Sequence, residues 1–117
     1  MNAARKCQPA LAEDRAAAML AALGSTVRLK VYRLLLRAGA SGLSVTTLQR
    51  ASGIPASTLN HHLSALVGAG LVAQERTGRE LLCRAEYSDI QRLSAFLLQE
   101  CCADAPAGVL KMLGITA

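Results

Sequence analysis

Apolar residues recur at helical spacing four times before the pattern changes. Leu11, Ala18, Met19, Ala22 and Leu23 mark a first helix over 10–23, ended by Gly24, which tolerates the backbone of a helix stop. Ser25 is placed to cap a second helix, with Val27, Val31, Leu34 and Leu35 inward, Arg28, Lys30, Arg33 and Arg37 outward, and Gly39 and Gly42 closing it. Ser44 caps a short third helix through Val45 and Leu48 to about residue 52, after which Gly53 permits a sharp turn and Ile54 packs it onto the core. A fourth helix begins at Pro55 or Ala56 and runs to about residue 69, with Leu59, Leu63, Leu66 and Val67 on its buried face and Gly68 or Gly70 as its stop.

Beyond Gly70 the period shortens. Residues 71–76 and 79–87 are β-formers on either side of Thr77-Gly78, which predicts a hairpin. Ser88 or Asp89 then caps a last helix carrying Ile90, Leu93, Leu97 and Cys101 on one stripe. The expected fold is mainly α with a small β-hairpin: four helices, the hairpin, a fifth helix. That is the order of a winged helix-turn-helix domain. The domain is expected over 1–104, with a tail over 105–117 that adds a short helix at 109–113.

Composition agrees with a helical domain. Of the 117 residues 52% are hydrophobic, enough for one real core, while Trp is absent and aromatics are 3%, which favours helix over sheet. No apolar run approaches the roughly 20 residues of a membrane span, and no apolar signal core follows Arg5 and Lys6, so a soluble cytoplasmic protein without membrane contact is expected. The net charge of +5 suits an anionic partner.

The fourth helix carries the first candidate chemistry. Ser57, Thr58, Asn60, His61 and His62 place hydroxyls, an amide and imidazoles on its early turns, the short polar groups that reach base edges and phosphates from a helix in the major groove. Because this helix has no Lys or Arg, the electrostatic share must come from Arg76 and Arg79 beside the hairpin turn, with Arg50 a further candidate. His61 and His62 sit about 100° apart on a helix, so at most one meets a base and the other packs or touches phosphate. A polar outward face is also the default of any helical domain; the ordered set of cap, turn, helix and basic hairpin is what points to double-stranded DNA. No Ser-His-acid or Cys-His-acid arrangement lies outside this helix, so an enzyme is not expected.

The stretches ALGSTVRLKVYRLL and GLVAQERTGRELLCRAEY, with the last helix after them, resemble the arsenic-repressor (ArsR/SmtB) family of winged-helix metalloregulators over nearly the whole chain. The resemblance implies a homodimer joined through the first and last helices that leaves its operator when an inducer binds. The apolar first helix and the Ile90, Leu93, Leu97 stripe are consistent with that. Two familiar sensor sites of the family are missing. Where its arsenic site has cysteines flanking a Val, this chain reads Ser44-Val45-Thr46, and the last helix lacks the His that the family's zinc site needs. Zinc, nickel and cobalt sensing are therefore disfavoured.

Sulfur remains, as Cys83 on the second hairpin strand and Cys101 and Cys102 at the end of the last helix, with no spacing of a disulfide framework. An extended chain from Cys83 to Ser88 spans about 16 Å and a helix back to Cys101 about 18 Å, so the two thiols end level if the helix folds along the strand. Cys102 lies about 100° around from Cys101. Thiolates without His or carboxylate select trivalent arsenic or antimony. Methylarsenite has two exchangeable oxygens and suits a two-thiol clamp, whereas arsenite has three. The Cys-Cys pair resembles one arsenic-sensing branch of the family, often with a further downstream Cys that is absent here; Cys83 with Cys101 resembles the branch selective for trivalent organoarsenicals. The expected inducer is methylarsenite, with arsenite next and antimonite also of this class; DNA binding needs no cofactor. Cys7 on a partner's arm is a further thiolate source. A lone Cys is also commonly a small buried hydrophobe, the rival reading for Cys83 with Leu81 and Ala85 on its own face. The rival functions are a thiol redox or persulfide sensor and an architectural DNA-binding module without inducer.

Overall fold

The computed structural model describes residues 11–106 together with Gly108, Met112 and Gly114. Helix α1 (Glu13–Leu23) buries Ala16, Met19 and Ala22, and α2 (Thr26–Ala38) buries Val31, Tyr32 and Leu35. Ser25 caps α2 as its position implies, its hydroxyl accepting from the Arg28 N–H at 3.3 Å. A short 3-10 turn (Gly39–Ser41) leads to a two-residue strand β1 (Leu43–Ser44) and to α3 (Val45–Ser52). The Ser44 hydroxyl caps α3, accepting from the Thr47 N–H at 3.1 Å. Gly53 closes α3 in the left-handed conformation at φ 73°, and the chain turns through Pro55 into α4 (Ala56–Gly68). The hairpin is β2 (Val72–Thr77) and β3 (Glu80–Ala85), followed by α5 (Tyr87–Leu98).

One core holds these elements together. Leu59, Leu63 and Leu66 project from α4 at helical spacing and meet Leu35, Leu48, Leu71 and Met19, each nearly or fully buried. Helix α4 is packed against α1, α2, α3 and β2, so the inner side of the helix-turn-helix is fixed by apolar burial from four sides. In the sheet β3 is central, antiparallel to both neighbours, with Cys83 opposite Leu43 on one side and Gln74 on the other.

Several details depart from the sequence pattern. A third strand exists because Gly42, at φ 68°, lets Leu43 and Ser44 lie beside β3, where a Cβ on Gly42 would come within 2.5 Å of the Cys83 carbonyl oxygen. Two residues pair with β3 too briefly to leave a periodicity. The hairpin turn is Gly78-Arg79 rather than Thr77-Gly78, since Thr77 still pairs with Glu80. Val27 and Val67, expected inside, are exposed at the margin of their helices, while Arg28, expected outside, is half-buried.

The last helix differs most. It starts at Tyr87 behind Glu86, not behind Ser88 or Asp89, because the Glu86 N–H donates to the Leu71 carbonyl at 2.8 Å and fixes the chain there. It stops at Leu98, and residues 99–104 continue as turns. Cys101 therefore does not extend the Leu93–Leu97 stripe, and Leu97 itself is 56% exposed. Helix α5 packs on α1, with Asp89 within 3.6 Å of Arg15 and 3.5 Å of Arg92. Of the expected helix at 109–113 only Met112 is among the described residues, in helical conformation, and Cys7 lies outside them.

Candidate nucleic-acid interface

Rotation by about 100° per residue sorts α4 into faces. Opposite the Leu59, Leu63, Leu66 side lie Ser57, His61 and Ser64, all exposed; Thr58 and Asn60 flank them, also exposed. Ser64, three residues after His61, belongs to this outward row and follows from the same wheel, although the polar cluster that signals the site in sequence sits at the helix start and leaves it out.

The two histidines are divided between the faces. His61 is exposed, whereas His62 is half-buried and turned toward α2, where the Arg28 Nε–H donates to its Nδ1 at 3.2 Å. The rings meet edge to face with centroids 5.9 Å apart. His62 thus packs, and His61 alone stands free on the reading face. Arg28 was not among the expected site residues because this hydrogen bond joins positions 34 apart in sequence, through helix packing that no local pattern records.

Exposed cations stand on the elements that flank α4 in the chain, α3 and the hairpin. Arg50 is exposed near the end of α3, in a cleft shared with Thr46, Gln49, Gly53, Ile54 and Pro55 at the turn between the two helices. Arg76 and Arg79 are exposed at the outer end of the hairpin, where burial falls away after Ala73. Among the described residues no carboxylate lies within ion-pair distance of Arg50, Arg76 or Arg79. The base of the hairpin is braced by Arg84, which reaches Glu75 across the strands and the Ala40 carbonyl at 3.0 Å. A polar helix flanked in the chain by an uncompensated cation on α3 and two on a braced hairpin matches a duplex whose bases lie between two phosphate ridges.

The thiols fall into two settings. Cys83 is fully buried in the core, and its sulfur accepts from the Gln74 amide at 3.4 Å. Burial pushes the Cys83 thiol up, and the Gln74 hydrogen bond only partly offsets this. Gln74 was not among the expected site residues, yet counting back from a two-residue turn at 78–79 pairs it with Cys83. Cys101 is exposed in a cleft lined by Glu13, Phe96, Leu97, Gln99 and Glu100, and its sulfur lies 3.6 Å from that of Cys102. The hydrogen bond with Cys101 raises the Cys102 thiol, and Cys102 occupies a left-handed conformation at φ 61°. The structure brings Cys101 and Cys102 together, while Cys83 keeps a separate, solvent-free environment. Among the described residues no group of three or more His, Cys, Asp or Glu side chains is arranged to hold a metal ion, and no helix is long and apolar enough to cross a membrane.

Comparison with known proteins agrees with this architecture. A helix-turn-helix domain family matches residues 23–75. No curated protein matches the chain. A fragment (1–100) of a possible transcriptional regulatory protein from Mycobacterium bovis is 30% identical, with 89% of this chain and 99% of that one covered and a TM-score of 0.59. Its solution structure, described as a homodimeric winged helix-turn-helix DNA-binding domain of a possible ArsR-family regulator, is 28% identical, with 78% and 80% covered and a TM-score of 0.61. The transcriptional repressor BigR from Xylella fastidiosa is 28% identical, with 76% and 88% covered and a TM-score of 0.59. These relatives are regulators rather than enzymes. With helix-turn-helix, wing and relatives in agreement, the chain belongs to the ArsR family of winged helix-turn-helix transcriptional regulators.

Proposed function

We propose that the protein is a dimeric, cytoplasmic repressor that occupies an operator in its ligand-free form and leaves it when a trivalent arsenical, methylarsenite first among them, binds cysteine thiolates. The observation that carries this reading is the pair of sulfurs 3.6 Å apart at Cys101 and Cys102, one of them exposed. Two thiols at that spacing can replace the two hydroxyl groups of methylarsenite, forming two arsenic–sulfur bonds and releasing two waters. Arsenite carries a third exchangeable oxygen and calls for a third thiolate.

Capture at the exposed pair does not by itself reach the DNA-reading elements. Transfer of the arsenical to Cys101 and Cys83 would, because Cys83 lies on the central strand of the wing. That step uncovers a core thiol, separates it from Gln74 and ties the segment after α5 to β3. Release then needs only differential affinity: an inducer that binds the DNA-free form about 100-fold better weakens DNA binding by about 2.7 kcal/mol. Dimerisation is supported by Leu20 on α1 and Leu97 and Leu98 on α5, which are 44%, 56% and 63% exposed, and by the homodimeric relative.

Fluorescence anisotropy of the reduced protein on its own upstream DNA tests this reading, with methylarsenite, arsenite and antimonite titrated side by side. Release by methylarsenite at the lowest concentration is expected. Release only by peroxide or polysulfide, reversed by reductant, would replace arsenic with redox sensing.

A further inference from the structure

The half-buried histidine of α4 has a defined hydrogen-bonding state. Arg28 is permanently cationic and has only N–H donors, so the 3.2 Å hydrogen bond from its Nε requires a lone pair on His62 Nδ1. A neutral imidazole with Nδ1 free carries its proton on Nε2. Arg28 is itself held in place: its Nη1 donates to the Ala22 carbonyl at the end of α1, at 3.5 Å, and its backbone N–H is taken by the Ser25 cap. The chain Ala22, Arg28, His62 thus joins α1, α2 and the DNA-reading helix. Nε2 has no partner among the described residues and is not a buried orphan, so its N–H is available from outside.

Position on the helix says what that donor meets. His62 lies about 60° from the buried centre of α4 and about 120° from the centre of the outward row. A side chain there misses the floor of the groove and borders its edge, where the phosphate backbone runs.

We propose that Arg28 is a positioning residue for DNA recognition, holding His62 in its Nε2–H form so that this N–H donates to a phosphate oxygen at the edge of the groove. The inference rests on the DNA-binding reading but not on any inducer. It assigns Arg28 an indirect role, distinct from the phosphate-neutralising role of Arg76 and Arg79.

Two measurements on the full chain test it. Nitrogen-15 imidazole NMR without DNA should show His62 almost wholly with a bare Nδ1 and a protonated Nε2, and Arg28→Ala should relax it to the mixed tautomers of an unconstrained neutral imidazole. Anisotropy on the upstream DNA should show affinity falling several-fold in Arg28→Ala and in His62→Ala, with the double variant no weaker than the worse single one. The salt dependence should stay the same in Arg28→Ala. An unchanged tautomer in Arg28→Ala, losses that multiply in the double variant, or a salt slope reduced by about one would each overturn the proposal, the last by making Arg28 a direct phosphate ligand. If no version binds DNA, the DNA-binding reading fails while the NMR result still stands alone.

Discussion

The helix-turn-helix and the segment after α5 are built on opposite terms. Every turn of α4 is anchored by a leucine in the core, its approach is set by the Ser44 cap and the Gly53 turn, and Arg28 ties its flank to α2. From Leu98 to Pro106 the backbone hydrogen bonds among the described residues outside helices join residues three apart, Cys101 to Leu98, Ala103 to Glu100 and Ala105 to Cys102, and the thiols of Cys101 and Cys102 lie outside the core. A reading surface has to hold its shape against a rigid duplex, so its geometry is over-determined. In the proposed mechanism the segment after α5 has to change partners, and short-range hydrogen bonds leave it free to do so.

This contrast can be broken by substitution. Leu63→Ala, in the centre of the anchored region, is expected to cost about 2–5 kcal/mol of stability in a denaturant titration at fixed protein concentration. Cys83→Ser should cost about 1–3 kcal/mol, since it places a hydroxyl where a sulfur is fully buried, whereas Cys101→Ser and Cys102→Ser should each change stability by less than about 0.5 kcal/mol. Equal costs at Cys83 and Cys101 would remove the distinction between core and surface thiols. Arg76→Ala with Arg79→Ala should weaken DNA binding about tenfold or more at low salt and lower the salt slope by about one for each phosphate left unneutralised, measured by anisotropy over a salt series. Gly53→Ala should cost only about 1 kcal/mol, because its φ of 73° is strained for Ala but nothing lies within 4 Å of the added methyl. Gly42→Ala should cost more than Gly53→Ala, having the same backbone penalty and a clash with Cys83 besides.

Tyr32 gives the contrast a pH dependence. Burial, with Asp89 and Glu86 nearby, raises its phenol from 10.0 to about 12, so the stability it lends is fully present below its unfolded value and is lost as pH rises through the folded one. Thermal unfolding of wild type should therefore fall more steeply between pH 10 and about 12 than that of Tyr32→Phe.

What the sequence made legible follows the same division. The caps at Ser25 and Ser44, the Gly53 turn and the leucines of α4 are local signals, each readable from a few neighbouring residues, and they recur in the fold. Strand β1 was hidden because two residues carry no period. The early stop of α5 was hidden because Cys101 falls at a spacing that continues the helical stripe on paper, while the chain has already left the helix. The Arg28–His62 hydrogen bond depends on how two helices cross. For the thiols, sequence spacing suggested Cys83 level with Cys101, and packing instead put Cys83 in the core and paired Cys101 with Cys102.

In the proposed mechanism Cys101 belongs to both the capture pair and the clamp, so induction would turn on its thiol. The direct test is methylarsenite titration of Cys101→Ser on the upstream DNA, beside wild type. Unchanged DNA affinity in the variant is predicted, with no release at concentrations that free wild type completely. Release of Cys101→Ser at wild-type concentrations would contradict a sensor built on this thiol.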